Sequence, residues 1–248
     1  MNAVVLAAGT GRRLGNLGNK KPKALFPFEN HFMIDYVLAF LNQPEIKHVV
    51  VVGGYQFLQL ASYLERYKNR VRLIENKDFL KGNILSVAAA LPYVSGDDFL
   101  LLNSDHLYPS SLIRKVLEGP QHMRIICDRE RPLCADDMKV RWNQENQGFR
   151  LESISKTLSS YDGGYIGMTY VPQDAQPVYR QAFNLVLAKS DATGVAEEVL
   201  GEMTHVGHPP FIQLIDPLDW IEIDTPEDVM IAKNKIMSGK VVLTKPIF

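Results

Sequence analysis

The sequence has little cysteine, no strong excess of charge of either sign and no long apolar run. Two cysteines, Cys127 and Cys134, are too few for a disulfide scaffold, and no CxxC spacing of zinc sites is present. The formal net charge of -1 lacks the basic excess of nucleic-acid-binding proteins. No apolar stretch reaches the ~18 residues of a membrane helix. Near the N-terminus, charged residues follow the first apolar run instead of preceding it, unlike a signal peptide. We therefore expect a cytoplasmic protein without nucleic-acid or membrane partners.

The first half of the chain alternates apolar runs of strand length with helical segments. The predicted strands are residues 3–8, 46–52, 71–74 and 99–102, and the predicted helices are residues 33–41, 56–67 and 84–91. This β-α order indicates a parallel sheet joined by right-handed crossovers, with helices on both faces. Ligands bind such sheets beyond the carboxyl ends of the strands, so side chains that follow these strands are candidates for a binding site.

The second half indicates a mixed or antiparallel extension of the sheet. Short β-like segments are predicted at residues 124–127, 138–142, 148–154, 165–170, 212–215 and 220–223, with a hairpin at Gln144–Gly148. Helices are expected over residues 173–188, over 191–203 with Asp191 or Thr193 as N-cap, and from Pro226 to about Met237. With 46% hydrophobic residues among 248, the chain can fill one large core. We predict an α/β single domain whose sheet is mixed but mainly parallel.

The segment from Asn2 to Lys23 has the features of an anion-binding site. A buried strand ends at Ala8 and is followed at once by Gly9, Thr10 and Gly11. Cations come next, at Arg12, Arg13, Lys20, Lys21 and Lys23. Glycines allow backbone N–H groups to approach a polyphosphate closely, while arginine can fork two phosphate oxygens and lysine supplies a mobile charge. A glycine-rich turn with solvated charges is the alternative.

Two common glycine motifs do not fit this segment. The dinucleotide fingerprint requires a third glycine where this chain has Leu14, and the GxxxxGK[ST] phosphate loop is absent. The remaining pattern, LAAGxGxRL followed by KPK, resembles the signature of nucleotidyltransferases that couple a nucleoside triphosphate to a sugar phosphate or phospho-alcohol. The resemblance implies a Rossmann-like fold of the nucleotide-diphospho-sugar transferase type, with a nucleotide-binding half at residues 1–110 and an acceptor-binding half at 111–248.

The resemblance also implies which residues form the nucleotide and metal sites. Asp105 and Asp224 match the family positions that hold Mg²⁺, a cation that one or two carboxylates bind together with phosphate oxygens. Asp224 could instead be only a helix N-cap. Arg12 and Lys23 are the expected catalytic cations of the nucleotide-binding half. The expected nucleotide-binding residues are Leu6, Ala7, Ala8, Gly9, Thr10, Gly11, Asn76, Gly82, Asn83, Ser86 and Ser104. Asn83 could instead be a helix N-cap.

The middle of the chain resembles cytidylyltransferases acting on inositol 1-phosphate, phosphocholine and aminoethylphosphonate. Its ordered segments are ICD, ADDMKV, ISKTL and YDGGYIGM. In those relatives two lysines matching Lys139 and Lys156 approach the phosphates, so both are expected to be catalytic. The expected acceptor-binding residues are His106, Asp128, Asp136 and Tyr165. Ser155 replaces a usual glycine, and Gly163-Gly164-Tyr165 replaces the Asp-Thr-Gly of some relatives, so the acceptor stays open.

We therefore expect transfer of CMP from CTP to a small phosphorylated or phosphonate acceptor, with Mg²⁺ as cofactor and pyrophosphate as product. A transferase for sugar 1-phosphates using UTP or dTTP is one alternative. A non-catalytic nucleotide-binding regulatory module is another. A glycosyltransferase of similar architecture is a third. The apolar tail Val241–Phe248 could pack on its own domain or on a partner, so a homodimer is possible.

Overall fold

The computed structural model describes residues 1–18, 20–215 and 219–246, with no side-chain description for residues 16–18. The strands of this part of the chain are β1 Asn2–Ala7, β2 Pro27–Phe28, β3 His31–Phe32, β4 His48–Gly53, β5 Val71–Glu75, β6 Phe99–Asn103, β7 His106–Leu107, β8 Arg124–Asp128, β9 Lys139–Glu145, β10 Gly148–Ser155, β11 Gly163–Val171, β12 Phe211–Leu214 and β13 Ile221–Glu222. The helices are α1 Met33–Phe40, α2 Phe57–Leu64, α3 Ile84–Ala90, α4 Leu112–Leu117, α5 Gln176–Lys189, α6 Glu198–His205 and α7 Pro226–Met237. Short 3₁₀ helices lie at Arg12–Gly18, Lys23–Leu25, Glu65–Tyr67, Leu91–Tyr93 and Gln173–Ala175.

The main sheet has nine strands in the order β5-β4-β1-β6-β11-β8-β12-β10-β9. β5, β4, β1 and β6 are parallel neighbours, which confirms the predicted parallel first half. β11 is antiparallel to β6 and β8, and β10 is antiparallel to β12 and β9. β12 is parallel to β8. The predicted mixed extension and the hairpin between β9 and β10 are confirmed. Strands β7 and β13 pair with each other in a separate two-stranded sheet.

Helices cover both faces of the sheet because alternate residues of its inner strands point to opposite sides. In β1, Ala3 and Val5 join one buried cluster and Val4 joins the other. The first cluster also contains most of the buried apolar residues of α1 and those of α4, and the second contains the buried apolar residues of α3, α5 and α6. The fold is therefore a mixed α/β sheet with a core on each face.

One helix begins later than the sequence predicts, and the start of another helix decides between two candidate N-cap residues. The helix expected from residue 191 begins only at Glu198, since Asp191 and Ala192 have positive φ angles of 48° and 61°. The N-cap assignments to Asp191 and Thr193 are therefore wrong. At α7 the N-cap is Thr225, whose side chain accepts a hydrogen bond from the Asp228 N–H, so Asp224 is not the cap. The carboxylate of Asp224 is thus available for another role.

The C-terminal tail packs on its own domain as far as it is described. Val241 is buried, Leu243 bridges to Pro109, and Ser110 N–H donates to the Val242 carbonyl oxygen at 2.8 Å. Residues 247 and 248 of the predicted tail lie outside the described residues. None of the helices in the described ranges combines the length and the apolar character that crossing a bilayer requires.

Candidate active site

A cavity of about 380 Å³ lies at the carboxyl ends of β1 and β6. Its walls come from both halves of the chain, which the parallel strands bring to the same edge of the sheet. The predicted site residues that line it are Gly9, Thr10, Gly11, Arg12, Lys23, Asn83, Asp105, His106, Asp136, Lys156, Tyr165 and Asp224. The cavity is thus built around residues 9–13, which the sequence analysis identified and which we call the glycine segment.

Lys23 is the centre of this cavity. Its backbone N–H donates to the Gly9 carbonyl oxygen at 3.2 Å, which folds the KPK segment back against the glycine turn. The buried side chain donates from Nζ to Oδ2 of Asp105 at 2.6 Å and also to Oδ1 of Asp224. Three positions far apart in sequence therefore meet at one ammonium group.

The contacts between these charged side chains shift the pKa of both Lys23 and Asp105. Burial alone lowers the pKa of Lys23, but the carboxylates of Asp105 and Asp224 outweigh it, so the net pKa is raised. Burial alone raises the pKa of Asp105, but Lys23 and the neighbouring His106 outweigh it and hold the pKa well below its usual range. Both groups are therefore held in their charged forms.

The two carboxylates have the chemistry of a magnesium site. Their oxygens converge on a single cation, the Lys23 ammonium, and oxygen is the ligand that Mg²⁺ prefers. No group of three or more His, Cys, Asp or Glu side chains suited to a metal occurs among the described residues. Mg²⁺ needs no such group, because it keeps waters and uses substrate phosphates as further ligands. Asp105 and Asp224 therefore fit a metal that is held jointly with a nucleotide.

His106 connects the carboxylate pair to the protein interior. Its Nδ1–H donates to Oδ1 of Asp105 at 2.7 Å, and its ring stacks on Trp220 with centroids 5.2 Å apart. Trp220 in turn donates from Nε1 to Oδ2 of buried Asp128 at 2.9 Å. The structure thus places Asp128 outside the cavity lining, and its predicted acceptor-binding role stays a prediction. Its carboxylate holds the tryptophan on which His106 stacks.

Lys139 also differs from the sequence-based expectation. Its buried Nζ donates to the backbone oxygens of Cys134 at 3.0 Å and Lys156 at 2.8 Å, with a longer contact to Ala135. The side chain lies outside the cavity lining, and its predicted contact with phosphates stays a prediction. It fixes the two segments that carry Asp136 and Lys156 into the cavity.

Arg13 was not predicted as a separate site residue. It lines the cavity and donates from Nη2 to Oδ2 of Asp224 at 2.6 Å, and from Nη1 to Asp136. Lys156 Nζ donates to the same Asp136 side chain at 3.3 Å. The glycine segment is therefore tied by ion pairs to the second half of the chain.

Several predicted nucleotide-binding residues lie beside the cavity instead of lining it. Leu6 and Ala8 use their carbonyl oxygens to accept from the N–H groups of Ser104 and Tyr55. The side-chain amide of Asn76 donates to the Ser86 hydroxyl at 3.0 Å, and both side chains are buried. The remaining predicted residues outside the lining are Ala7, Gly82 and Ser104.

The segment before α6 packs against the start of α3. A Cβ on Gly82 would meet the Gly194 oxygen at 2.4 Å, and Asn83 Oδ1 accepts from the Ala196 N–H at 2.8 Å. Asn83 occupies the N-cap position of α3, as the alternative reading predicted, but its side chain makes no capping hydrogen bond. This packing also brings Val195 and Glu197 into the cavity wall.

The sequence contained a usable signal for some of the residues that were missed. Glu222 lines the cavity two residues before Asp224, and side chains two apart on an extended segment share a face. Its Oε1 lies 4.0 Å from His106 Nε2. Burial raises the pKa of Glu222 against the opposing effect of His106. Asn103, at the end of β6, follows the same strand-end rule, whereas Glu197 had no comparable signal.

Gly167 forms part of the cavity wall beside His106 and offers a test of this packing. Its φ angle is +74°, and a Cβ there would lie 2.9 Å from His106 Nε2 and 3.0 Å from Asn103 Nδ2. We predict that Gly167→Ala displaces the His106 ring and lowers the rate of any reaction catalysed in this cavity about tenfold or more, since small displacements of positioning groups are costly. Steady-state kinetics of the variant would measure the loss.

Gly239→Ala is the matched control, because Gly239 has a φ of +71° and no atom within 4 Å of an added Cβ. It carries the same backbone strain, of order 1 kcal/mol, without a clash. Equal activities of the two variants would show that the His106 contact does not matter.

The comparisons with known proteins agree with this geometry. The model of the MobA-like NTP transferase domain matches residues 3–137. A bifunctional IPC transferase and DIPP synthase of Thermococcus kodakarensis is 28% identical over 239 residues, covering 95% of this chain and 50% of the relative. A CTP:phosphoglutamine cytidylyltransferase of Campylobacter jejuni is 28% identical over 134 residues, covering 52% of this chain and 53% of the relative. This chain thus spans about half the length of these relatives.

Among solved structures, the inositol-1-phosphate CTP transferase from T. maritima superposes with a TM-score of 0.80 at 22% identity, covering 96% of this chain and 95% of the other. At that identity the likeness concerns the fold, and it confirms the predicted nucleotide-diphospho-sugar transferase architecture. The family model extends over more than half of the 248 residues and includes the glycine segment, Lys23 and Asp105. The chain belongs to the family of MobA-like NTP transferase domains.

Proposed function

We propose that this protein transfers CMP from CTP to a small phosphorylated or phosphonate acceptor and releases pyrophosphate. The observation that carries the proposal is the meeting of Lys23, Asp105 and Asp224 in one cavity beside the glycine segment. A nucleotidyl transfer needs cations and metal-binding carboxylates at one point, because negative charge accumulates around the α-phosphorus.

The reaction is a displacement at phosphorus. An oxygen of the acceptor phosphate or phosphonate attacks the α-phosphorus of the triphosphate and forms a new P–O bond. The bond between the α-phosphorus and the bridging oxygen breaks, and pyrophosphate leaves with that oxygen. The protein contributes positioning and charge neutralisation, as in other phosphoryl-type transfers.

Each group in the cavity has a role in this scheme. The amides of Gly9, Thr10 and Gly11 and the Arg12 guanidinium bind the β- and γ-phosphates. Lys23 offsets the charge that develops at the α-phosphate. Asp105 and Asp224 would hold Mg²⁺, which when bound neutralises phosphate oxygens as a Lewis acid. Asn83 faces the cavity beside the start of α3 and reads an edge of the base.

The choice of CTP rests on the relatives, whose names describe CTP-dependent transfer to inositol 1-phosphate and to phosphoglutamine. A sugar-1-phosphate transferase using UTP or dTTP shares the same cations and carboxylates. A non-catalytic module would have no need of a Lys23 ammonium held between two carboxylates. Dimerisation, a cytoplasmic location and the division into two functional halves stay predictions.

Pyrophosphate release tests the proposal directly. CTP, UTP, ATP and dTTP are each incubated with Mg²⁺ and a small set of phospho-alcohols and phosphonates, with EDTA in place of Mg²⁺ as control. We expect release with CTP, dependent on both acceptor and Mg²⁺. Release with UTP or dTTP and a sugar 1-phosphate would select the alternative transferase. Tight nucleotide binding without release from any pair would identify a binding module.

A further inference from the structure

A second cavity, of about 310 Å³, is lined by α1 and by the segment that joins α2 to β5. It also includes Val49, near the start of β4, and Val71, at the start of β5. The candidate active site lies instead at the carboxyl ends of β1 and β6, to which β4 and β5 run parallel. The two cavities are therefore at opposite edges of the sheet. The volume of the second cavity falls in the range of ~300–1,000 Å³ that is typical of small-molecule sites.

The second cavity has an apolar interior and a polar opening. The buried apolar side chains of its lining are Leu38, Ala39, Val49 and Val71. The exposed residues of its lining are Asn42, Arg66 and Asn69. A ligand that enters this cavity therefore places carbon atoms against the buried side chains and its polar group near the opening.

Arg66 and Arg70 bring two positive charges to this lining. The guanidinium group of Arg66 stacks on the Tyr63 ring at 4.0 Å, and its Nε–H donates to the Tyr63 carbonyl oxygen at 3.1 Å. Arg70 donates from Nη1 to the side-chain oxygen of Asn42 and from Nη2 to the Leu41 carbonyl oxygen. A guanidinium group has five N–H donors, so the residues that the structure describes leave most donors of both arginines unused.

Neither arginine is paired with an anion in the described part of the chain. No Asp or Glu there forms an ion pair with Arg66 or Arg70. Burial lowers the pKa of Arg70, and no neighbouring carboxylate opposes this effect. Asp35 lines the same cavity, but its carboxylate accepts hydrogen bonds from the hydroxyls of Tyr63 at 2.7 Å and Tyr67 at 2.9 Å. A partly buried guanidinium without an anion is costly, and an anionic ligand would supply the missing partner.

We propose that the second cavity is a non-catalytic ligand site for a small organic anion, whose apolar body packs on the buried side chains while its carboxylate or phosphate pairs with Arg66 and Arg70. The planar guanidinium group suits these anions because it can form two parallel hydrogen bonds to them. A neutral apolar molecule lacks the charge, and an inorganic anion lacks the apolar body. Because the two cavities lie at opposite edges of the sheet, a ligand in one leaves the other open.

Three probes test this assignment by calorimetric titration of the wild-type protein. Naphthalene-2-carboxylate has both the apolar body and the charge, naphthalene-2-carboxamide has the body alone, and acetate has the charge alone. We expect the carboxylate to bind and the amide to bind about 10- to 100-fold more weakly, because charge-assisted hydrogen bonds are lost. Acetate should give no measurable binding at the same concentrations.

Two variants locate the bound probe. Arg66→Gln should raise the Kd of the carboxylate about tenfold and leave the Kd of the amide unchanged. Arg72→Gln is the matched control, because Arg72 is also exposed and stacks on a tyrosine, Tyr93 at 5.0 Å, but lies outside the cavity lining. Ala39→Leu adds volume to the cavity wall and should weaken the binding of both naphthalene probes. A thermal melt checks that each variant is folded.

The wild-type titrations and Arg66→Gln decide the outcome even where Ala39→Leu does not fold, since overpacking can destabilise a core. Equal affinities for the carboxylate and the amide, or no binding of the carboxylate, overturn the proposal. Carboxylate binding that is the same in wild type, Arg66→Gln and Arg72→Gln overturns it as well. These titrations do not depend on pyrophosphate release, so they stand apart from the test of the proposed function.

Discussion

Asp105→Asn is expected to slow pyrophosphate release on the order of 10²- to 10³-fold while the protein stays folded. The substitution removes one of two negative charges around Lys23 but keeps the size of the side chain. Lys23 Nζ and His106 Nδ1 bind different oxygens of Asp105, at 2.6 and 2.7 Å, so the single amide oxygen of asparagine can keep only one of these two hydrogen bonds. The measurement is kcat at saturating CTP and acceptor, with a thermal melt to check folding.

Magnesium dependence sharpens this prediction. Because the variant keeps only Asp224 of the carboxylate pair, the Mg²⁺ concentration for half-maximal rate should rise as well. Asp97→Asn provides the control, since Asp97 pairs with Lys47 at 3.2 Å on the surface and such exposed pairs contribute little. A fully active Asp105→Asn enzyme with an unchanged Mg²⁺ requirement would exclude this carboxylate from the reaction.

Much of the fold was predictable because its strands carry a strong local signal. The apolar residues of β1, β4 and β6 alternate between the two cores, so a run such as the four valines of β4 predicts a buried strand. The order of these strands and helices then fixed the parallel topology. The turn between β9 and β10 was equally clear from the residues at its tip.

The segment before α6 has a conformation that local sequence patterns do not predict. DATGVAEEVL contains a plausible N-cap followed by good helix formers, yet the helix begins at Glu198. The cause is contact with a distant part of the chain, because Gly194 O accepts from Ile84 N–H at 3.3 Å and Ala196 N–H donates to Asn83. A single sequence carries no direct record of such a contact. Glu197 was missed for the same reason.

Lys139 illustrates a different limit. The sequence alone does not distinguish a lysine that approaches phosphates from a lysine that binds backbone oxygens, because both occur in the same kind of strand. Burial separates them, since Lys139 is 7% exposed and its ammonium is occupied by carbonyl oxygens. The contact of Asp128 with Trp220 could not be predicted either, because the two residues lie 92 positions apart in the sequence.

Lys23→Met is the second substitution with a large expected effect. The rate should fall on the order of 10²- to 10³-fold, because a fixed cation near the reacting phosphate is lost. The variant should also lose about 1–3 kcal/mol of unfolding free energy without Mg²⁺, since Asp105 and Asp224 then face each other with one cation fewer. Chemical denaturation in EDTA measures that loss.

Added Mg²⁺ should restore part of the lost stability. A divalent cation that binds the two carboxylates takes over the charge compensation that Lys23 provides, and binding to the native state stabilises it by mass action. We therefore expect Mg²⁺ to raise the melting temperature of Lys23→Met more than that of the wild type. Equal shifts in both proteins would mean that Mg²⁺ does not use these carboxylates.

The double variant Lys23→Met/Asp105→Asn decides whether the two residues form one unit. Independent contributions would multiply to a loss of about 10⁴- to 10⁶-fold. Groups that act together lose no more than the worse single variant, because the second substitution removes an interaction already broken. Stability provides the complementary readout: removing the Asp105 charge relieves the repulsion left by Lys23→Met, so the double variant should melt above Lys23→Met in EDTA. Multiplied rate losses with no recovery of stability would contradict a shared centre at Lys23, Asp105 and Asp224.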